Sequence, residues 1–374
     1  NTTASSNTAL GYQALRDTTG TGNTGVGFNN LASNTTGTYN TALGTEALSS
    51  STTASFNTAV GYRAMLFTTT GTGNTALGRS SLQTNSTGQY NTALGYLSLF
   101  ATTTGADNTA VGSSALTANT TGFQNTAVGN DVLGYNTIGN DNVGVGYRCM
   151  LFNTGSNNSG LGSNALRGNT TGSKNTALGS EALKSNTTAN FNTALGYQAL
   201  FSNTTASGNV AVGYQTLLFN TTGFYLTALG ESALRDNTTG NFNIAVGQAA
   251  LYANTTGTSN VALGYHSLFS NTTADNNTAV GYQALFDNTT GYGNVAIGRE
   301  ALANNTTAFY NAAVGLNALQ NVTTGGTNTA IGITAGSTLT TGSNNTLIGY
   351  DAEPSSATVS NEVTIGNASV NKVR

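Results

Sequence analysis

The sequence predicts an all-β fold, a parallel β-roll or solenoid of about 22 coils. Three observations carry this. The nonapeptide NTALGYQAL at 7–15 recurs at 192–200 and, with one change, as NTAVGYQAL at 277–285. The leading Asn of that unit, or its replacement, returns every 17 residues from Asn7 to Glu362 with two 16-residue intervals, and the fifth residue of every unit is glycine. Between units stands Asn-Thr-Thr-Gly or a close variant, as in 34–37, 119–122, 237–240 and 254–257. A period this short is one coil, which cannot fold alone and must stack on its neighbours. The richness in Thr, Ser, Asn and Gly resembles that of disordered chains, but a disordered chain has no reason to keep a fixed period.

Each element follows from its place in the repeat. With the leading Asn as position 0, position 1 is Thr, Val or Ile almost throughout, position 2 is nearly always Ala, and position 3 is aliphatic. Alternation along a strand puts positions 1 and 3 on one face and positions 0 and 2 on the other. The branched face is expected to fill the coil, each side chain stacked on its equivalent, while the Asn and Ala face meets something else. Position 4 is the turn glycine, including Gly11, Gly44, Gly95, Gly196, Gly281 and Gly298. A second apolar anchor follows at position 8, so the expected core ladder is Leu10 and Leu15, Leu43 and Leu48, Leu195 and Leu200, Val280 and Leu285. Position 6 carries Gln13, Glu46, Arg63, Arg148 and His266, so it must reach water even though an ideal strand would align it with position 8. This segment therefore bends, and it is too short between its glycine and the next turn for a stable helix. The Asn-Thr-Thr-Gly loop supplies side-chain to backbone bonds and a glycine tolerant of positive φ.

The domain organisation predicted is a repeat shaft over 1–350, with a terminal coil and connection over 351–374. The opening NTTASS matches the second half of a repeat and no initiator Met precedes it, so the chain reads as a piece of a longer or processed protein. Only two large apolar side chains per coil make a thin core. Burying the Ala face between chains would help offset the cost of ordering each coil, which predicts a parallel homotrimer about one axis.

Composition narrows the function. Charged residues are 7% of the chain, the net charge is −3, and no basic cluster is present, so a nucleic-acid partner has no electrostatic footprint. No run approaches the roughly 18 apolar residues of a membrane helix, so no membrane insertion is expected in this segment. The lone Cys149 excludes an intrachain disulfide and a cysteine metal cluster, and it replaces the Ala usual at its repeat position. The single histidine, His266, reads as a solvated surface residue, and no Ser-His-Asp set or consistent carboxylate pair stands beside it. No enzyme activity, cofactor or metal is expected. The most irregular stretch, 129–146, gathers Asp131, Asn140, Asp141 and Asn142, whose oxygens could hold calcium, but the Gly-Gly-x-Gly-x-Asp signature of calcium rolls is absent.

Asn-Thr-Ala-Leu-Gly, with the variants Asn-Val-Ala-Ile-Gly at 294–298 and Asn-Val-Ala-Val-Gly at 209–213, resembles the head repeats of YadA-like trimeric autotransporter adhesins. That resemblance implies a trimeric left-handed parallel β-roll over essentially all repeats. Those heads use coils of about 14 residues, so the Asn-Thr-Thr-Gly loop would be an expansion. The stretch SNEVTIGNASVNKVR at 360–374 resembles the segment preceding the self-cleaving intramolecular chaperone of phage tail fibres, which implies a trimer trapped after cleavage.

Two sets of surface residues are candidates for contact with a partner. Tyr62, Tyr96, Tyr197, Tyr214, Tyr265 and Tyr282 recur at position 5. They could stack on sugar rings of a cell-surface glycan or receptor, or pack between chains and over coil edges. Asn34, Asn119, Asn169, Asn186, Asn203, Asn237 and Asn254 head glycosylation sequons, which a glycosylating pathway would decorate and any other setting would use as turns. The expected function is a structural and adhesive extracellular fibre segment, on a virion tail fibre or a bacterial surface. The alternatives are a self-assembling extracellular filament, stacking end to end, and an ice-binding solenoid using its threonines.

Overall fold

The computed structural model describes residues 4–370. Twenty-two three-residue strands run from β1 (Thr8–Leu10) to β22 (Val363–Ile365), one per repeat. The chain forms two compact units, Asn1–Asn190 and Phe191–Arg374, holding eleven strands each. Within each unit the strands pair in parallel with every repeat position opposite its own equivalent, as in Thr41↔Thr58, Ala42↔Ala59 and Leu43↔Val60, or Val261↔Thr278, Ala262↔Ala279 and Leu263↔Val280. Both units are therefore parallel β-solenoids with the 17-residue period of the sequence. The terminal region keeps the pattern, since Thr346, Leu347 and Ile348 pair with Val363, Thr364 and Ile365. Residues 371–374 of the tail-fibre-like stretch lie outside the described residues.

Glycine at position 4 is a conformational necessity. Gly44 has φ +126°, and a Cβ there would sit 2.7 Å from the carbonyl oxygen of Gly61 on the next coil. Gly11, Gly95, Gly196, Gly281 and Gly298 repeat this geometry, with φ between 130° and 137°. A side chain would meet both the forbidden φ and the neighbouring backbone.

The strand faces are opposite to expectation. The middle residue of β2 to β21 is buried and its flanking residues are exposed or half-exposed, as in Thr41, Ala42 and Leu43. Leu10 is 67% exposed, and Leu43 and Leu195 are 45% and 40%. Val280 is half-buried, whereas Leu15, Leu48, Leu200 and Leu285 at position 8 are buried. Most coils bury one large apolar side chain, at position 8, although the coil from Leu226 buries both Leu226 and Leu234. At Gly25 an added position-2 Cβ would already lie 3.4 Å from Cγ of Leu15, so bulk at position 3 must face outward.

Alanine at positions 2 and 7 and asparagine fill the rest of the core. Asn40 donates Nδ2 to Ala54 O of its own coil at 2.7 Å and to Asn23 Oδ1 at 3.1 Å, and its own Oδ1 accepts the Asn57 N–H at 3.0 Å. The position-11 asparagines form a second ladder. Asn237 donates to Gly240 O at 3.0 Å and to Asn220 Oδ1 at 2.8 Å. Buried amides of this kind are tolerable only when satisfied, and here nearly every group has a partner in the coil or its neighbour. Leu226 interrupts the first ladder, and Thr18, Ser51, Thr68, Thr102, Val322 and Leu339 replace asparagine in the second.

The bend after the glycine has a specific cause. Positions 6 and 8 both adopt left-handed backbone, as at Glu46 (φ 56°) and Leu48 (φ 52°). The Glu46 N–H bonds back to Phe28 O at 2.9 Å, whereas the Leu48 N–H bonds forward to Ala64 O at 3.0 Å. The segment is thus bonded to both neighbours, and it turns so that position 8 points inward while position 6 reaches solvent. A leucine in this conformation is strained by about 1–2 kcal/mol, which burial of its side chain by about 1.5–3 kcal/mol offsets.

Candidate interaction surface

The outward strand face recurs in every coil of both units. Position 3 contributes Leu43, Leu77, Leu161 and Leu178 in the first unit, each at least 40% exposed, and Leu195, Ile297, Ile331 and Ile348 in the second. Position 1 adds Thr, with Val143, Ile244 and Val295 at 46%, 40% and 36%. In-register pairing aligns these side chains into one aliphatic column at position 3 along each unit, beside a position-1 column that is mostly threonine in the first unit and mixes Thr with Val, Ile and Ala in the second. Near Gly144 and Gly160 the face dips into a hollow of about 270 Å³ between Val143, Val145, Leu161 and Leu178. Those glycines answer bulk inside the coil: a Cβ at Gly144 would fall 2.7 Å from Val132 Cγ1, and one at Gly160 would fall 2.6 Å from Cys149 Sγ. Periodicity alone gave no sign of this exposed face, because both strand faces repeat equally well.

The position-5 aromatics form columns whose ring faces are largely occupied. Tyr197 stacks on Tyr214 at 5.6 Å, and Tyr265 on Tyr282 at 5.4 Å. Arg79 lies between Tyr62 and Tyr96, 5.9 and 5.7 Å from their centroids, and Arg299 lies 5.5 Å from Tyr282. The paired tyrosine rings, near-parallel with their centroids 5.4–5.6 Å apart, are offset stacks, a favoured aromatic geometry, and they leave mainly edges and hydroxyls for a ligand. His266 rests 3.8 Å from the Tyr265 centroid, and partial burial lowers its pKa.

The sequon asparagines Asn34, Asn119, Asn169, Asn186, Asn203, Asn237 and Asn254 are fully buried. Their Nδ2 groups donate within the coil, as from Asn34 to Gly37 O and from Asn119 to Gly122 O, both 3.0 Å. No glycan can occupy that nitrogen in the folded coil. Asn321, in the same class of motif, is exposed.

The suspected calcium ligands do not converge. Asp131 pairs with Arg148 at 3.4 Å, Asn140 Oδ1 accepts the Phe123 N–H at 2.9 Å, and Asn142 belongs to the buried ladder, while Asp141 is exposed. Among the described residues, no group of three or more His, Cys, Asp or Glu side chains could hold a metal, and no helix is long and apolar enough to cross a membrane. Cys149 is buried beneath Gly160, and burial pushes its thiol pKa up to about 12.

No family model matches the chain, and no curated protein matches it either.

Proposed function

We propose that this chain is a segment of a structural and adhesive extracellular fibre, assembled as a parallel homotrimer through the outward strand face. The observation carrying this reading is the column of Leu, Ile and Val side chains at position 3 left on the surface of both units. Contiguous exposed apolar surface of this extent marks an interface in proteins that are otherwise polar outside. Three equivalent faces turned toward a common axis would bury the columns and give each coil the apolar burial its narrow interior cannot hold. The Ala face, first expected to meet the partner chains, is used inside the coil and takes no part. The YadA-like and tail-fibre-like sequence resemblances favour the same reading.

Light scattering tests it. The expected mass is about three times the chain's 37.8 kDa, persisting on warming in detergent. Leu77→Glu with Leu178→Glu is expected to yield a monomer with unchanged β-structure, and a monomeric parent protein would refute the assembly. Binding to whole cells tests attachment separately. Position 13 also presents an exposed threonine column, including Thr36, Thr53, Thr70 and Thr104, which favours ice binding as a second reading. The adjacent position-12 hydroxyls are spent on the next coil, as from Thr52 to Thr69 O at 3.1 Å. Thermal hysteresis above that of a control protein would support this second reading, and filaments growing from purified protein would favour end-to-end assembly.

A further inference from the structure

We infer that a cleft in the irregular coil 125–141 is a binding site for a single neutral sugar ring. The cleft exists because a side chain is missing. Position 9 carries Phe100, Phe201, Tyr252, Phe269 and Phe286 in other coils, but here it is Gly134, set between Thr117 and Leu151 on the neighbouring coils. The resulting space is about 250 Å³, below the ~300–1,000 Å³ of pockets for drug-sized ligands, which suits one ring.

Its chemistry is that of a polyol site. Leu151 forms an apolar floor and Tyr135, 58% exposed, one wall. The Tyr135 ring is held by stacking on Phe152 at 5.3 Å, so it is fixed before any ligand arrives. Across the cleft, Arg148 Nε donates to Asp131 Oδ2 at 3.4 Å. The terminal guanidinium nitrogens and Asp131 Oδ1 carry no other hydrogen bond to the described residues, leaving a donor fork beside a charged acceptor. Vicinal hydroxyls, each both donor and acceptor, match that pair, and Ser114 and Thr117 add hydroxyls at the rim. A charged ligand suits it less, because Asp131 and Arg148 already neutralise one another and either ion would repel one of them. None of these residues belongs to the outward strand face, so the site and chain association do not compete. This deepens the attachment part of the proposed function and does not depend on the number of chains.

The test uses the full chain and saturation-transfer NMR with the methyl glycosides of glucose, galactose and mannose, and with N-acetylneuraminic acid and inorganic phosphate as charged probes. Transfer to at least one neutral glycoside is expected, with the millimolar affinity usual for so small a ligand. Gly134→Phe is expected to abolish it. In that variant a Cβ at residue 134 would lie 3.0 Å from Leu151 Cδ1, so the leucine end must shift slightly, as the order Phe201 before Leu218 in the same column allows. If its melting temperature falls sharply, Asp131→Asn decides instead, with an expected loss of about tenfold for removing a charged acceptor. Silence from all three glycosides, undiminished transfer in a folded Gly134→Phe or in Asp131→Asn, or transfer to the charged probes alone would overturn the inference. Cell binding that fails while the glycoside still binds would count against the attachment reading and leave the site standing.

Discussion

Gly160→Ala inserts one methyl where the coil interior has no space for it. The added Cβ would lie 2.6 Å from Cys149 Sγ, 3.2 Å from Met150 Cε and 3.6 Å from Met150 Cγ. Normal contact distances are about 3.5–4 Å, so the overlap with sulfur is close to 1 Å. Cys149 and Met150 are both fully buried, and the methionine end can move more easily than the thiol. Overpacking of this kind costs about 1–3 kcal/mol, and replacing glycine returns about 0.4–1 kcal/mol through the unfolded chain. A net loss of about 1–2 kcal/mol is expected. In a Cys149→Ala background the same substitution restores the pairing of Ala at positions 7 and 2 seen at Ala47 with Ala59 and Ala165 with Ala177, so most of its cost should vanish, leaving only the contact with the mobile Met150 end. The assay is a double-mutant cycle on chemical unfolding followed by circular dichroism, with hydrogen exchange at the Thr176–Leu178 strand as a local readout because repeat arrays need not unfold in two states. A coupling of about 1–2 kcal/mol is predicted between neighbours in contact. Equal cost of Gly160→Ala with and without the thiol would refute the pairing.

The remaining predictions use other irregularities. Ser51→Asn should stabilise the first unit by about 1 kcal/mol, since Ser51 Oγ and Asn34 Oδ1 are both buried without partners and the new amide would join them; an unchanged or lower melting temperature would count against the ladder. Cys149 titrates from about 12 in the folded chain against an ordinary 9.0, so its neutral form is favoured by folding; stability present below pH 9 should drain away toward pH 12, and Cys149→Ala should flatten that part of the unfolding profile. Thr334 holds a β-branched side chain at φ 56°, a costly conformation, and Thr334→Asn should raise stability by about 1 kcal/mol in thermal melts. Secreted through a glycosylating pathway, folded protein should carry glycan at Asn321 and none at Asn119 or Asn237, and mass-spectrometric occupancy at either buried site would contradict the fold.

The period, the strand at positions 1 to 3 and the turn glycine were legible because each is a local requirement repeated in every coil. Which strand face turns inward was not. Hydrophobicity ranks Leu43 above Ala42 for burial, but the coil is so narrow that volume decides, and Asn40 must reach the Ala54 carbonyl from inside. The left-handed backbone at Glu46 and Leu48 was equally hidden, because neither residue type signals positive φ. The sequons misled for a related reason: Asn-Thr-Thr has the same letters whether the amide meets water or a buried ladder. Cys149 was recognised as filling an alanine position, but its compensation by Gly160 needs knowledge of which coil lies over which.

A strict repeat offers the same surface at every coil, which suits an extended self-associating face and can give avidity through many weak contacts. It cannot by itself single out one place. The departures from the repeat are where a unique contact can arise, and several fall between residues 129 and 162. Val132 answers Gly144, Cys149 answers Gly160, and Gly134 stands where other coils carry an aromatic ring. The first two pairs keep the interior filled while larger and smaller side chains are exchanged. The third opens a polar cleft beside Asp131 and Arg148. Because the interior swaps are compensated within neighbouring coils, the strand register continues unbroken through them, from Val143 opposite Ser159 to Ser159 opposite Thr176. Local irregularity can therefore carry recognition at little cost to the scaffold, provided each enlarged side chain meets a reduced one on the adjacent coil.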